Sequence, residues 1–448
     1  MEGVSSRDLA KSDIRSLLIK QSVPASVGIL FATVNILIDA IFVGRWIGSL
    51  AIAALAVVMP LTFFIGSLGL AIGSGGGSVL SRALGSGDQE KALSTFAHQI
   101  MMTFGLSSLF VVAGLFFSEE ILYAFGANGA IKEPAHEFFF PILIAVPLQA
   151  LCMMGNSVIR AEDKTRYSMI SMIISAITNI VLDILFIKFF GWGIFGAALA
   201  TAASFFLCFA YIAWFFIYKS ELRLKWHHFA WQKKLAGEIT SLSFVTFARQ
   251  GVISVLSVLL NHTLFAHGGE HAVTVYGIIS RMLMFALFPV LGITQGFLPI
   301  AGYNYGANNH ARVRESIFLA IKYAGGLAIL IFVVILCFAE PITAMFTTDA
   351  EVIRDTPGAL RWVFAASPII AVQLIGAGYF QAAGKATKAL MLTLSKQGFF
   401  LIPLVLILPE FFGIFGVWVA FPIADVLSTI VTGLFLRKEL ATGLRVKE

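Results

Sequence analysis

Residues 193–216 read GIFGAALATAASFFLCFAYIAWFF, and the four letters that open this stretch, GIFG, return at 413–416. No charged residue interrupts residues 193–216, which are enough to cross the hydrocarbon core of a bilayer as a helix of about 20 residues. A second apolar stretch follows the second GIFG. The two stretches therefore predict a membrane environment for the chain and a duplication within it.

The composition of the whole chain favours the same environment. Of the 448 residues, 58% are hydrophobic and 12% are charged, and the mean hydropathy is +0.89. Soluble globular proteins carry about 25% charged residues. Cys152, Cys208 and Cys337 are widely spaced in apolar stretches, which suggests neither a disulfide framework nor a zinc site. The composition thus excludes soluble enzymes.

Apolar runs of about 20 residues predict twelve membrane-spanning helices. Their starts are predicted near Leu17, Ala51, Ser94, Phe138, Ser168, Ile194, Gly237, Val273, Ser316, Pro357, Leu390 and Gly413. We expect an all-α membrane protein with two six-helix lobes around a central cavity. The lobes are predicted at residues 1–218 and 237–448, and a cytoplasmic linker is predicted at 219–236.

The distribution of basic residues predicts the orientation. Few of the 31 Lys and Arg residues lie at the odd-numbered connections, namely Arg45, Lys132, Lys188, Arg354 and Arg361. Arg249 and Arg281 lie inside spans, and the others lie at the termini and the even-numbered connections. Since cytoplasmic loops are rich in Lys and Arg, both termini are predicted to be cytoplasmic. The absence of an organellar targeting segment predicts an inner or plasma membrane. The net charge of +6 then reflects topology and gives little support to nucleic-acid binding.

The duplication extends over more than 100 residues. Glu119, Phe125 and Lys164 have counterparts of the same type 221 residues later, at Glu340, Phe346 and Lys385, and GIFG recurs after 220. Six spans are an even number, so the two copies run parallel and are related by an axis along the membrane normal. This organisation is typical of secondary transporters. No selectivity filter or ring of like charges suggests a channel.

Several segments resemble signatures of the multidrug and toxic compound extrusion (MATE) family, and they occur in family order over essentially the whole chain. They are Ser81–Asp88, Arg160–Glu162, Gln295–Ala307, Tyr379–Lys385 and Pro422–Asp425. The resemblance implies an antiporter of two lobes and twelve helices. It further implies export of organic compounds, often cationic drugs, in exchange for sodium ions or protons.

Two Asn and Asp pairs lie inside predicted spans of the first half. Asn35 and Asp39 are four residues apart in span one, and Asn179 and Asp183 are four apart in span five, so each pair occupies one helical face. If the two faces meet, their oxygens suit a hard cation such as Na⁺, and two desolvated carboxylates can equally share a proton. The sequence leaves H⁺ and Na⁺ both open as the coupling ion. A static role in helix packing is the alternative.

The second copy provides an internal control for this interpretation. The residues 221 positions after the two pairs are Leu256, Leu260, Phe400 and Leu404. Because a packing role would favour retention in both copies, we place ion coupling in the first half alone. The family resemblance supports Asp39, Asn179, Asp183 and Thr201 as a possible Na⁺ site and adds Asn156 as a matching polar position.

Pro24 lies 15 residues before Asp39 in the first span. Proline inside a helix removes a backbone hydrogen bond and favours a kink. Protonation of Asp39 could therefore be linked to bending at this position, and a static kink is the alternative.

The second half departs from a branch of the family that carries acidic residues in spans seven, eight or ten. Here those spans contain no interior Asp or Glu, and their polar residues include Gln381 and six possible substrate-cavity positions: Arg249, Gln250, Asn261, Arg281, Gln295 and Gln373. We expect the two arginines to pair with helix-end carbonyls or acids, with Asp425 a candidate partner. Arginines that instead face the cavity would weaken the case for a purely cationic substrate.

The remaining motifs support a gradient-driven transporter without a cofactor. The run Gly73–Ser78 lacks the end of a Walker A motif and is predicted to serve close helix packing. Asp39 and Asp183 lack the Gly-x-Gly-Asp arrangement of intramembrane aspartyl proteases, so no enzyme is predicted. The expected partners are small organic substrates and the lipid bilayer, and a complete two-lobed bundle should function as a monomer. The alternative function is a flippase for lipid or lipid-linked substrates.

The predicted linker combines aromatic and basic residues. Trp226 and Trp231 lie among its lysines, a combination that suits a segment at the level of the lipid headgroups. An ordinary connection between the two halves is the alternative. His227 and His228 are adjacent, but the sequence supplies no further ligands that would support a metal site.

Overall fold

The structure is a computed structural model that describes residues 9–347 and 349–444, apart from the side chain of Ser49. These residues form an all-α protein. The helices of the first copy are α1 (Ile14–Trp46), α2 (Ser49–Gly85), α3 (Gln89–Phe116), α4 (Ser118–Ala124), α5 (Lys132–Ala161), α6 (Thr165–Asp183) and α7 (Gly193–Tyr218). A π-helical segment, Ile184–Phe189, continues α6.

The helices that follow are α8 (Lys233–Gly306), α9 (His310–Ala344), α10 (Ala350–Val363), α11 (Ile370–Ala382), α12 (Ala386–Leu394), α13 (Ile402–Phe412) and α14 (Ile414–Thr442). A π-helical segment, Ser395–Leu401, joins α12 to α13. The linker between α7 and α8 contains one short 3₁₀ helix, Trp226–Phe229.

The described residues confirm the predicted number of spans. They contain eleven helical segments that are long and apolar enough to cross a membrane. One of these, α8, has 74 residues, which would extend about 110 Å as one straight helix, more than three times a hydrocarbon core of about 30 Å. Its backbone breaks at Gly269, where φ is 62°. We therefore count α8 as two crossings and the described chain as twelve.

Span ten shows the largest difference between a predicted and an observed start. It was predicted near Pro357, whereas α10 begins at Ala350. The side chain of Asp349 caps this helix by accepting hydrogen bonds from the backbone N–H groups of Glu351 and Val352. Pro357 lies within α10 and does not begin it.

The backbone repeats the duplication seen in the sequence. Four pairs of residues adopt positive φ at offsets of 221 or 220: Gly48 and Gly269, Gly87 and Asn308, Asp163 and Gly384, and Gly193 and Gly413. The caps repeat as well. Asp88 before α3 accepts from Lys91 N, and Asn309 before α9 accepts from Arg312 N, again 221 residues apart. Equivalent turns and caps show that the two copies follow one architecture.

The chain divides into two compact units, and the boundaries between them fall inside helices. The first unit contains Val27–Thr246 and the described residues before Ser12, and the second contains Ser12–Ser26 and the described residues from Phe247 onward. Helix α1 thus changes unit after Ser26, and α8 changes unit after Thr246. The linker at 219–236 lies within the first unit.

Each unit has an apolar core of its own. In the first unit, Val43 of α1, Val58 of α2 and Leu143 of α5 belong to one buried cluster. In the second unit, the buried cluster includes residues of α8, α13 and α14. Burial of such side chains contributes roughly 25 cal/mol per Å² of apolar surface where the alternative is water.

Glycines allow α2 to pack closely against its neighbours, which supports the interpretation of the Gly-rich run. A Cβ added at Gly73 would lie 2.9 Å from Met154 Cα, and one at Gly75 would lie 2.4 Å from Ser243 N. Neither separation is tolerated without displacement of backbone. The run therefore serves helix packing, as predicted.

Candidate cation site

Helices α1 and α6 bring the two predicted Asn and Asp pairs together in the first unit. The carboxyl groups of Asp39 and Asp183 are neighbours that interact electrostatically. Asp183 is fully buried, and Asn179 one turn before it is 2% exposed. The spacing of four residues places both members of each pair on the facing sides of these helices.

The site is rich in acceptors and poor in donors. Four buried oxygens have no hydrogen-bond partner among the described residues: Asn35 Oδ1, Asp39 Oδ1 and both carboxylate oxygens of Asp183. A buried acceptor without a partner costs about 1–3 kcal/mol. An oxygen-only group of this kind stabilises a species that brings positive charge, either a proton or a hard cation.

Thr201 and Asn156 have different relations to this group. The amide of Asn179 donates to Thr201 Oγ1 at 3.3 Å, which connects α7 to the site. Asn156 Oδ1 instead accepts from Ser171 Oγ at 2.6 Å. Ser171 lies eight residues before Asn179 on α6, about 12 Å along the helix. The structure thus gathers Thr201 with the carboxylates and places Asn156 in a separate contact.

The backbone after Asp183 is irregular. The π-helical segment begins at Ile184, directly beyond the carboxylate. Such segments widen the helix and are frequent at functional sites. The local sequence, Ile184–Phe189, is uniformly apolar except for Lys188 and gave no indication of this change.

The equivalent positions of the second unit are apolar and packed. Leu256 and Leu260 are buried in its core cluster, and Phe400 and Leu404 pack against that cluster. The same backbone positions therefore build a polar site in one copy and a hydrophobic core in the other. Packing alone does not require the Asn and Asp residues of the first copy.

Pro24 lies within the continuous helix α1, two residues before the helix changes unit. Nearby, a Cβ added at Gly28 would lie 2.8 Å from Met172 Sδ, so α1 approaches α6 closely just after this point. Proline removes one backbone hydrogen bond here.

The second unit contains a buried ion pair that sequence reasoning missed. Lys396 Nζ lies 2.5 Å from Asp425 Oδ1, with side-chain exposures of 16% and 5%. The prediction that Asp425 partners Arg249 or Arg281 is therefore wrong. Lys396 lies in the π-helical segment between α12 and α13. Its place in an otherwise apolar run was the available signal.

Arg249 and Arg281 form no hydrogen bond or ion pair with any other residue in the described ranges, so the expected pairing with acids or helix-end carbonyls is not observed. Arg249 is half-buried and Arg281 is exposed. Arg249 lies near the middle of the part of α8 that precedes Gly269, about 24 Å from Lys233 at its start. The side chain cannot reach either end of that helix.

The other predicted cavity residues differ in their surroundings. Gln373 is buried and donates from Nε2 to Leu392 O at 3.0 Å, which ties α11 to α12. Gln250 accepts at its backbone oxygen from Ser254 Oγ. Asn261 is exposed and Gln295 is half-buried. Gln373 therefore has a packing role in this structure.

Twelve apolar crossings in two copies, with a group of unpaired oxygens buried inside the first, define a polytopic membrane transport protein. Comparison with known families gives the same class. The MatE family model matches residues 24–185 and 243–407, one match in each copy. The chain belongs to the MatE family of membrane transporters, which confirms the resemblance seen in the sequence, and it is not an enzyme.

Similar proteins cover almost the whole chain. The multidrug export protein MepA of Staphylococcus aureus (strain N315) is 25% identical over 427 residues, 95% of this chain and 94% of the relative. The FAD transporter of Shewanella oneidensis is 25% identical over 439 residues and 94% of each protein.

Solved structures show the same fold. An outward-facing multidrug resistance MATE family transporter of the MOP superfamily aligns with a TM-score of 0.93 at 24% identity, over 99% of both chains. A MOP superfamily transporter from Pyrococcus furiosus, described as having a binding pocket of reverse polarity, aligns with a TM-score of 0.93 at 24% identity over 100% of both chains. The two-lobed architecture predicted from the repeat is thereby confirmed.

Proposed function

We propose that the protein is a secondary active antiporter that exports organic, cationic or amphipathic compounds by alternating access. Exchange for H⁺ or Na⁺ is coupled at Asp39 and Asp183. The observation that carries this proposal is the pair of neighbouring carboxyl groups with partnerless buried oxygens. Similarity to the multidrug export protein MepA supports export as the direction and drugs as the substrates.

A proton and a sodium ion would use the same oxygens differently. A proton on either carboxyl group turns an acceptor into a donor and creates a hydrogen bond between Asp39 and Asp183. A sodium ion would instead be held by oxygens of Asp39, Asn179, Asp183 and Thr201. In both cases the arriving charge removes the repulsion between the two carboxylates.

Occupancy of the site can be linked to the shape of α1. Asp39 lies in the part of α1 that belongs to the first unit, and Pro24 lies in the part that belongs to the second. A change in the attraction between Asp39 and Asp183 would move the part of α1 that carries Asp39. The helix can bend at Pro24, where one backbone hydrogen bond is missing. Pro24 is therefore the proposed hinge between ion binding and movement of the units.

An ion gradient is sufficient to drive such export. One proton crossing about 100 mV releases about 2.3 kcal/mol, which sustains a substrate gradient of about fiftyfold. A difference of one pH unit adds roughly tenfold.

Arg249 favours a second substrate class, compounds that carry an acidic group. A guanidinium at mid-span without a protein partner is expected to face a polar cavity or a ligand. Similarity to a relative described as an FAD transporter supports the same class. We propose that Arg249 binds carboxylate or phosphate groups of such substrates, so the two classes can be separated by an Arg249→Gln variant.

The decisive experiment is efflux from sealed vesicles under imposed pH or Na⁺ gradients. We expect Asp39→Asn and Asp183→Asn to lose gradient-driven export of a cationic dye such as ethidium while still binding it. Asp349→Asn, which alters an exposed helix cap, is the matched control and should transport normally. Normal transport by both site variants would overturn the proposed coupling site. The gradient that drives the parent protein identifies the ion.

An Arg249→Gln variant tests the second substrate class in the same vesicles. Export of a carboxylated dye such as fluorescein should fall while export of ethidium persists. Equal effects on both dyes would exclude a role for Arg249 in recognising acidic groups. Translocation of labelled phospholipid by the parent protein would instead favour the flippase alternative.

A further inference from the structure

A cavity of about 470 Å³ lies in the first unit beside the linker. Its walls come from α3, α5, α7 and the first linker residues, and they are apolar with one exception. The apolar residues include Phe96, Leu151, Ile212, Ala213, Phe216 and Leu222. The exception is Arg223. The volume falls within the range of sites that bind small molecules, about 300–1,000 Å³.

Arg223 supplies a cation at the edge of this apolar cavity. Its guanidinium donates to the carbonyl oxygen of Ile217 near the end of α7. Among the residues that the structure describes, no carboxylate pairs with it. A guanidinium has five N–H donors, so several stay available for an external acceptor. Glu221, the nearest acid in sequence, pairs with Lys164 at 3.3 Å.

The linker that carries Arg223 is fixed to the first unit. The backbone N–H of Gln232 donates to His98 Nε2 at 2.9 Å, and the buried His98 ring stacks on Trp231 with centroids 5.2 Å apart. Glu238, just beyond the linker, bridges Arg82 at 2.8 Å and Lys91 at 3.0 Å. Arg223 is therefore presented by an anchored segment.

Glu90, His227 and His228 add a second anchor for the linker. Glu90 Oε1 lies 3.2 Å from His227 Nε2 and 3.4 Å from His228 Nε2. These atoms have the spacing of a metal site, but His228 Nδ1 already accepts the backbone N–H of Lys225 at 2.8 Å. A neutral His228 then carries its proton on Nε2, where a metal would need a free lone pair. The cluster therefore anchors the linker.

The surroundings of the cavity match the polar boundary of a membrane. Tyr218 is 67% exposed, Trp226 is 92% exposed, and Lys219 Nζ lies 5.9 Å from the centre of the Trp214 ring. Exposed Trp and Tyr residues beside Lys are characteristic of the headgroup level. Basic groups beside apolar grooves at this level recognise anionic lipid headgroups.

We propose that this cavity binds a phospholipid with an anionic headgroup. One acyl chain occupies the apolar cavity between α3 and α7, and Arg223 donates to the phosphate. The charge of Arg223 selects anionic over zwitterionic lipid, and the apolar wall selects a lipid over free phosphate. The proposal is independent of the ion coupling and substrate proposed above.

Native mass spectrometry of the full chain in mild detergent tests this site. Phosphatidylglycerol and phosphatidylcholine with identical acyl chains are added separately, and the retained lipid is counted. The parent protein should prefer phosphatidylglycerol, and Arg223→Gln should reduce that preference about fivefold, as expected for one cation at an anionic lipid. Lys234→Gln removes an exposed linker cation outside the cavity and should leave the preference intact.

Ala213→Phe tests the acyl-chain part of the proposal, because the larger side chain fills the cavity. This variant should lose retention of both lipids while its thermal stability stays near that of the parent. An unchanged lipid preference in Arg223→Gln would overturn the proposal. Full retention of both lipids in Ala213→Phe would overturn it too, as would displacement of bound lipid by millimolar inorganic phosphate.

Discussion

Asp39 and Asp183 lower the stability of the protein at the site where they are proposed to bind an ion. The four partnerless oxygens of this site are a cost that a donor in the same place would remove. Their counterparts in the second copy are Leu and Phe in a packed core, so the fold itself tolerates apolar residues here. The polar residues are consistent with the proposed binding of an ion.

Asp183→Asn should therefore make the protein more stable while abolishing coupled export. The new amide can donate to Asp39 and removes a buried charge, which we expect to raise the free energy of unfolding by about 1–3 kcal/mol. Thermal unfolding in detergent at pH 7 measures this change. Unfolding at an unchanged or lower temperature, with native folding shown by circular dichroism, would contradict the expectation.

The buried pair of Lys396 and Asp425 should behave in the opposite way. Removing one partner leaves an uncompensated buried charge, so Lys396→Met alone should destabilise by about 3–5 kcal/mol. The double variant Lys396→Met with Asp425→Leu should recover most of this loss. Thermal unfolding of the two single variants and the double variant measures the coupling. Additive effects would mean that the two side chains do not interact.

At the scale of helices, close approach decides which positions tolerate a side chain. Helix α2 is packed so tightly against α5 that a Cβ at Gly69 would lie 2.3 Å from the carbonyl oxygen of Ala150. By contrast, no atom beyond the neighbouring backbone of α3 lies within 4 Å of a Cβ added at Gly105. Replacing glycine by alanine therefore tests packing at Gly69 and helix propensity at Gly105.

Gly69→Ala should destabilise the protein by about 1–3 kcal/mol because the backbones of α2 and α5 must separate. Gly105→Ala should be neutral or stabilising by up to about 1 kcal/mol, because alanine is the better helix former. Parallel thermal unfolding of the two variants provides the measurement. Similar effects at both positions would refute the packing argument.

One buried histidine contributes to the attachment of the linker. His98 Nδ1 lies 2.7 Å from Ser94 O, and Nε2 accepts the N–H of Gln232. His98→Phe keeps the ring but removes both contacts, so the linker should become more accessible to a protease. His262→Phe, at an exposed position of α8, is the control. Limited proteolysis measures the rate at which residues 219–236 are cut. Equal rates for the parent and both variants would show that His98 does not anchor the linker.

At the scale of the whole molecule, the sequence predicted what depends on local pattern. Span number, the duplication and the facing Asn and Asp pairs follow from residues that are close in sequence or related by the repeat. The Lys396–Asp425 pair and the π-helical segments depend on contacts between distant elements. Such contacts cannot be predicted from the pattern of one sequence. The contact between Asn156 and Ser171 likewise joins residues of different helices, and no pattern in the sequence indicated it.

The predicted orientation is testable on the intact protein in cells. Trp226→Cys in a background without native cysteines should react with an impermeant thiol reagent only from the cytoplasmic side, because residue 226 is 92% exposed and lies on the basic linker. Lys132→Cys should react only from outside. Labelling of both positions from one side would show that the predicted topology is wrong.

The division of α1 and α8 between the two units determines what each half of the chain would contain if the two halves were produced separately. A cut in the linker yields two polypeptides, one that ends within residues 219–236 and one that begins there. The first fragment would lack residues up to Thr246 of its own unit and would carry Ser12–Ser26, which belong to the other. Each product would thus depend on its counterpart to complete its fold, so the two fragments should regain export only when they are produced together.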